Sequence, residues 1–190
     1  EREKFSLEEM IRTFKFSDVS LGGPVFDQKK LSWLNQQYIQ DLPGDEFVKI
    51  FREDLVSDNV IKKLYPLVKE RLECFSEFFE KFSFFFTLDL DYSGLPLVPK
   101  TKTQDELVKA FSELSLKLDE IDIWSLETLE PAVTGHMKSL SWKPKEFYMP
   151  LRLVLTGRKD SPPLFETMEA LGRDVVRYRL QKLSEKNFFS

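Results

Sequence analysis

The sequence predicts an all-α protein, and three observations support this prediction. Apolar residues recur at helical spacing along most of the chain. Residues that favour helix N-termini, such as Ser6 and Asp27, stand before such stretches. Segments with glycine and proline at 42–45 and 89–102 separate them. The 190 residues are 42% hydrophobic and 32% charged, a globular composition long enough for one large or two small domains.

Three helices are predicted in the first 56 residues. The first covers residues 5–14, with glutamates in its first turn where the helix dipole favours anions. A Gly-Gly-Pro turn within 19–25 follows, and Asp27 caps a second helix over 28–40. The break at 42–45 precedes a third helix over 46–56.

A long helix is predicted over residues 58–86, with a kink at Pro66. At helical spacing, Arg71 falls within its apolar stripe. Because arginine keeps its charge, a half-buried guanidinium must be paired or must bind a ligand. Arg71 therefore either pairs with an interior carboxylate or extends its charged end to solvent, or it has a functional role. The phenylalanines of 75–86 resemble a stacking surface, but their spacing favours a place in the core.

Helices are also predicted over 104–118, 129–139 and 146–155, followed by a last helix from Leu164 to Leu183. Gly157 is expected to end the helix before it. Ser161 is expected to cap the last helix, with Pro162 in its first turn. The turn between these two helices is the best candidate for a binding surface. Its prolines suit packing against an unstacked base, and Arg152, Arg158 and Lys159 lie close enough in sequence to hold an RNA backbone.

The charge distribution points to a local site for a polyanion. The net charge is −4, yet residues 143–182 hold nine basic and five acidic side chains. An ordinary solvated helix face would show a similar excess, so both interpretations stay open. Arg173 and Arg177 are interpreted as helix-surface partners of neighbouring glutamates.

The sequence contains no recognisable active site. A phosphate-binding loop and a Ser/His/Asp set are both missing, and His136 is predicted at the surface or at a boundary. A single cysteine, Cys74, and a single histidine argue against a zinc site and a disulfide framework. No apolar run approaches the length of about 20 residues that spans a membrane. Because the chain begins with Glu1 rather than Met, we expect it to be part of a longer protein.

Two groups of motifs resemble the bacterial-type glutamyl-tRNA synthetases. The stretch 19–27, Val-Ser-Leu-Gly-Gly-Pro-Val-Phe-Asp, with Lys-Leu-Ser-Trp-Leu-Asn at 30–35, resembles the part that follows the catalytic domain. Pro-Leu-Arg at 150–152, Leu-Thr-Gly at 155–157, Ser-Pro at 161–162 and Leu-Gly at 171–172 resemble the end of the same family. The middle of the chain matches chiefly through Lys-Glu-Arg at 69–71.

The resemblance implies a modular enzyme that attaches glutamate to its tRNA with ATP. Residues 1–42 would be the end of a stem-contact module, and 43–98 and 99–190 would be two helical anticodon-binding modules. The catalytic domain, with its ATP and Mg, would lie outside this chain, which would therefore bind tRNA without charging it. The parent is expected to be a cytoplasmic monomer. Whether it charges glutamate tRNA alone or glutamine tRNA as well stays open.

The resemblance also assigns roles to residues. Arg71 matches an arginine that recognises the third anticodon base through a charge-assisted contact. Arg152 matches an arginine at the anticodon. Ser161, Pro162 and Leu164 match the turn that receives the first and middle bases, although Pro163 stands where a small residue such as glycine can occur.

Further contacts to the tRNA backbone are expected from Lys29, Lys30 and Asn35, which lie in the stem-contact motif. The alternative is a helical protein-interaction module that docks a partner through its phenylalanines and has no RNA role.

Overall fold

The computed structural model describes residues 4–18, 22, 26–185 and 188–189. Every regular element within them is helical, which confirms the all-α class. Apart from Gly22, the turn predicted at 19–25 lies outside the described residues. The α-helices are α1 Leu7–Thr13, α2 Gln28–Asp41, α3 Gly44–Ile50, α4 Asp58–Val68, α5 Glu77–Phe82, α6 Gln104–Asp119, α7 Leu126–Ser139, α8 Pro144–Thr156, α9 Leu164–Leu171 and α10 Arg173–Lys182. Single 3-10 turns cover Phe16–Asp18, Lys69–Arg71 and Ser83–Phe85, and a π turn covers Phe51–Leu55.

The chain divides into two compact units, Glu1–Ser57 and Asp58–Ser190. The first unit holds α1 to α3, and none of its described residues is buried. Ser6 caps α1 with a reciprocal bond to Glu9, as its sequence predicts. The predicted domain boundaries after residues 42 and 98 stay predictions.

The second unit is built around α6 to α10. Helix α10 packs against α6, α8 and α9, and α7 packs against α6 and α9. Thr103 caps α6 with a capping box. The apolar stripe of α6 faces the core. Side chains without exposed surface form the centre of the core: Leu107, Phe111, Leu114, Leu129, Val133, Phe147, Leu151, Leu153, Val154, Leu155, Met168, Val176 and Leu180.

The single helix predicted over 58–86 is wrong. Helix α4 ends at Val68, two residues after Pro66, which supplies no N–H to the last turn. One 3-10 turn follows, and Leu72 then adopts an extended backbone with φ −102° and ψ 126°. Helical order resumes only at α5. Arg71 therefore does not lie on a continuous apolar stripe.

The phenylalanine run divides between core and surface. Phe82 and Phe84 are buried, in agreement with the core interpretation. Phe75 is 93% exposed and Phe79 is 59% exposed, so the same interpretation is wrong for them. The break between α4 and α5 turns this end of the run away from the core.

Two further predictions about α7 to α10 are corrected. His136 is buried rather than at the surface, because it shares the inner face of α7 with Leu129 and Val133. The helix predicted from Leu164 to Leu183 is interrupted at Gly172, whose φ of 81° ends α9 before α10 begins. Across the described part of the chain, none of these helices has both the length and the apolar character needed to cross a membrane.

Candidate functional site

The turn after α8 is held by its own side chains. Gly157 ends α8 with φ 65°, in the left-handed region where glycine is favoured, as its sequence predicts. Thr156 Oγ1 donates to the Arg152 carbonyl at 2.7 Å and accepts the N–H of Arg158 at 3.2 Å. These bonds fix the direction in which the chain leaves the helix.

Ser161 does not cap α9, contrary to the prediction. Helix α9 begins at Leu164, after Pro163, and no side chain caps it. A proline disfavours helical backbone in the residue before it, so Pro162 and Pro163 delay the helix. The Ser161 hydroxyl instead accepts a hydrogen bond from Arg152. Ser161 and Pro162 are buried, whereas Pro163 is exposed.

Arg152 binds this turn from the side of α8. Its Nη1 donates to the Ser161 hydroxyl, to the Ser161 carbonyl at 3.1 Å and to the Pro162 carbonyl at 2.7 Å. Burial lowers the pKa of Arg152, nearby Arg71 lowers it further, and Asp160 raises it. The guanidinium thus both supports the turn and adds positive charge beside it.

An open cleft of about 390 Å³ lies where Arg152 meets the start of α9. Tyr148 and Phe165 form one wall, with ring centroids 5.8 Å apart at an interplanar angle of 85°. Pro163 has no N–H, so the first N–H groups at this end of α9 belong to Leu164 and Phe165. The cleft thus combines aromatic faces, one cation, the carboxylates of Glu130 and Glu166, and helix N–H donors. These groups can stack on an unstacked base and hydrogen-bond its edge.

Arg71 reaches the same turn from a distant part of the sequence. Its Nη1 lies 3.1 Å from Oδ1 of Asp160, 89 residues along the chain. Lys81 donates to the Arg71 carbonyl at 3.1 Å and steadies the 3-10 turn that carries it. The structure therefore brings Arg71 and Arg152 to neighbouring residues of one turn, Asp160 and Ser161. The roles predicted for these residues stay predictions.

The remaining predicted cations behave differently. Arg158 donates to the carbonyl of Glu80, so backbone occupies part of its donor capacity, while Lys159 is exposed. Lys29, Lys30 and Asn35 are exposed on α2 in the first unit.

Arg173 and Arg177 do not pair with the neighbouring glutamates of α9. Arg173 donates to the Asp119 carbonyl at 3.0 Å and lies over the Trp124 ring at 5.4 Å. Arg177 pairs with the carboxylate of Asp119 at 3.7 Å. Both arginines therefore join α10 to the end of α6.

Two further charged residues were not predicted from the sequence. Asp160 is the carboxylate that faces Arg71. Arg179, on the same helix as Arg173 and Arg177, has no exposed surface. Its position three residues after Val176 and one before Leu180 places it on the inner face of α10. Like Arg71 in the predicted helix, Arg179 is an arginine at helical spacing among apolar residues, and this pattern identifies it from the sequence.

No cluster of three or more histidine, cysteine, aspartate or glutamate side chains among the described residues has the geometry to hold a metal ion. The site instead offers guanidinium donors, an aromatic wall and a proline-stiffened turn. Groups of these kinds suit a polar ligand with an exposed ring face.

Comparisons with known proteins identify the family of the chain. The family described as an anticodon binding domain matches residues 32–184. The chain belongs to this family. The crystal structure of a glutamate tRNA ligase from Elizabethkingia meningosepticum, in complex with its amino acid, is similar, with a TM-score of 0.56 and 25% identity over 94% of this chain and 36% of that one. A glutamate-tRNA synthetase from Elizabethkingia anophelis has a TM-score of 0.51 and 26% identity over the same shares.

Curated relatives of this anticodon-binding domain are glutamate–tRNA ligases. The protein of Stutzerimonas stutzeri (strain A1501) is 33% identical over 185 residues, which cover 97% of this chain and 38% of that protein. That of Pseudomonas syringae pv. syringae (strain B728a) is 35% identical over 183 residues, which cover 96% of this chain and 37% of that protein. The chain thus spans less than two fifths of the length of these relatives. The predicted resemblance is confirmed.

Proposed function

We propose that this chain is the tRNA-binding part of a glutamate–tRNA ligase and that the turn at 157–163 receives the anticodon. The observation that carries the proposal is the convergence of Arg71, from a 3-10 turn, and Arg152, from α8, on the adjacent residues Asp160 and Ser161 of one turn. An anticodon loop presents unpaired bases close together, so their recognition needs donors gathered at one place.

Each member of the site has a distinct role in this proposal. Arg71 donates to the edge of the third anticodon base, which replaces or shares its contact with Asp160. Arg152 holds the turn in shape and offers charge to the loop. Ser161, Pro162 and Leu164, all buried in the free chain, shape the turn that receives the first and middle bases. Because the third base distinguishes glutamate from glutamine tRNA, the presence of Arg71 favours a parent enzyme that charges glutamate tRNA alone.

The two helical modules divide this work. Arg71 belongs to 43–98 and Arg152 to 99–190, so the anticodon lies where the two predicted modules meet. Lys29, Lys30 and Asn35, together with Arg158 and Lys159, contact the tRNA backbone.

The parent enzyme attaches glutamate to tRNA in a catalytic domain outside this chain, with ATP and Mg, as a cytoplasmic monomer. The chain alone binds tRNA and has no active site.

A binding titration tests the proposal. Fluorescence anisotropy would measure the Kd of the 190-residue chain for three labelled RNAs: a glutamate anticodon stem-loop, the same stem-loop with the glutamine anticodon, and a stem closed by an unrelated loop. We expect the first to bind most tightly, with affinity that falls as salt is raised because phosphate contacts release counterions. Equal Kd values for the three would contradict base recognition, and no binding to any of them would favour the protein-interaction alternative.

A further inference from the structure

Arg179 is a buried cation whose hydrogen bonds all go to backbone carbonyls. It lies on α10 with no exposed surface, between the core residues Val176 and Leu180. Burial lowers its pKa to about 10, so the guanidinium stays protonated at neutral pH. A charge in such a place needs several acceptors with good geometry, because each unsatisfied N–H would add to the cost of desolvation.

The acceptors belong to two separate chain segments. Nη2 donates to the Phe84 carbonyl at 2.7 Å and to the Thr87 carbonyl, and Nε donates to the Leu88 carbonyl at 3.3 Å. Nη1 donates in another direction, to the Leu155 carbonyl in the last turn of α8. One planar group therefore joins the segment 84–88 to the end of α8. A lysine ammonium cannot reproduce this, because its three protons radiate from one nitrogen.

Two further contacts join residues shortly after the segment 84–88 to the end of α8 and to Gly157. The Tyr92 hydroxyl donates to the Val154 carbonyl at 2.9 Å. A side-chain carbon added at Gly157 would lie 3.5 Å from the Asp91 carbonyl, so the two backbones pass close to each other there. Arg179 is the most buried of these links and the one with the most hydrogen bonds.

Each joined segment leads directly to one of the site arginines. Leu155 stands three residues after Arg152 on the same helix. The segment 84–88 follows α5, whose Lys81 binds the Arg71 carbonyl at 3.1 Å. Arg179 thus binds both chain segments that connect to the site arginines: the end of α8, which carries Arg152, and the residues after α5, which holds the Arg71 carbonyl.

We propose that Arg179 is a positioning residue that sets the distance between Arg71 and the turn held by Arg152. This inference rests on the proposed function for its consequence in base recognition, although the positioning itself can be measured without RNA. A loosened junction would let the two guanidinium groups move apart, so that an anticodon loop could contact one of them well but not both.

A distance measurement tests the positioning directly. Cys74 is exposed and lies three residues after Arg71, and exposed Lys159 is next to Asp160. Spin labels on Cys74 and on Lys159→Cys would report the separation of the two sides by pulsed electron paramagnetic resonance. We expect a narrow distance distribution in this labelled parent and in the added control Arg177→Lys, which changes an exposed arginine of the same helix. We expect a broader or shifted distribution with Arg179→Lys.

Anticodon titrations of the unlabelled variants add the functional readout. Arg179→Lys should lower the preference for the glutamate over the glutamine stem-loop by about tenfold, the effect of losing one charge-assisted contact. Arg177→Lys should keep the parent's preference. If the parent shows no preference but the label distribution changes, the proposed function fails and the positioning stands.

An unchanged distribution in folded Arg179→Lys overturns the proposal. If that variant does not fold, Tyr92→Phe removes one hydroxyl at the same junction and should shift the distribution in the same sense. An unchanged distribution there would overturn the proposal equally.

Discussion

Replacing Arg71 with alanine separates base recognition from folding, because its visible partner is a surface carboxylate. The Arg71 side chain is 38% exposed and that of Asp160 is 96% exposed. Ion pairs between exposed side chains contribute about 0–1 kcal/mol, so the free energy of unfolding should change little. A bidentate contact between arginine and a base edge discriminates by about 1–3 kcal/mol, or roughly 5- to 150-fold in Kd. We therefore expect Arg71→Ala to lose most of its preference for the glutamate anticodon while it stays folded.

The assay compares Kd values for the glutamate and glutamine stem-loops, with urea unfolding on the same samples. Lys69→Ala is the matched control, since Lys69 shares the 3-10 turn but lies over the Tyr65 ring at 5.5 Å. It should keep the parent's preference. A preference retained by folded Arg71→Ala would refute the assignment of this arginine to the third base.

Three further outcomes are expected. Arg152→Ala should weaken stem-loop binding by at least about tenfold, measured by fluorescence anisotropy. It should also lower the free energy of unfolding in urea by about 1–3 kcal/mol, because the buried Ser161 hydroxyl loses its charged donor. Unchanged binding would contradict the role of Arg152. Burial lowers the pKa of His136 in the folded state, so the unfolded chain takes up a proton at a higher pH than the folded chain does. The urea midpoint, measured from pH 5 to 8, should therefore fall as the pH drops through about 6.5. This fall should vanish in His136→Gln. Phe84→Ala should destabilise the second unit by about 3–5 kcal/mol, whereas Phe75→Ala should cost less than about 0.5 kcal/mol; similar urea midpoints for the two would argue against the described division of the phenylalanine run.

Local signals in the sequence predicted the ends of several helices. The Ser6 and Asp27 caps and the Gly157 stop depend on backbone groups within a few residues, so the sequence around them suffices. Helix α4 ends at Val68, two residues after Pro66, where the sequence predicts only a kink in a longer helix. Helical spacing of apolar residues beyond a proline does not show by itself whether the helix continues.

The sequence suggests which residues belong to the candidate site, but it does not show their contacts. The motifs around Arg71, Arg152 and Ser161 pointed to one function, but no local pattern showed that Asp160 faces Arg71 across 89 positions. Burial of Arg179 and His136 likewise depends on neighbouring helices. An arginine at helical spacing among apolar residues is the one signal that could have found Arg179.

The paired prolines at 162 and 163 have a thermodynamic consequence for binding. Their rings fix φ in the free protein, and the Ser161 and Pro162 carbonyls are already bound by Arg152. The turn therefore loses its conformational freedom during folding, and an incoming loop meets a surface that need not be ordered again. Calorimetry should accordingly find that most of the entropy lost on association belongs to the RNA.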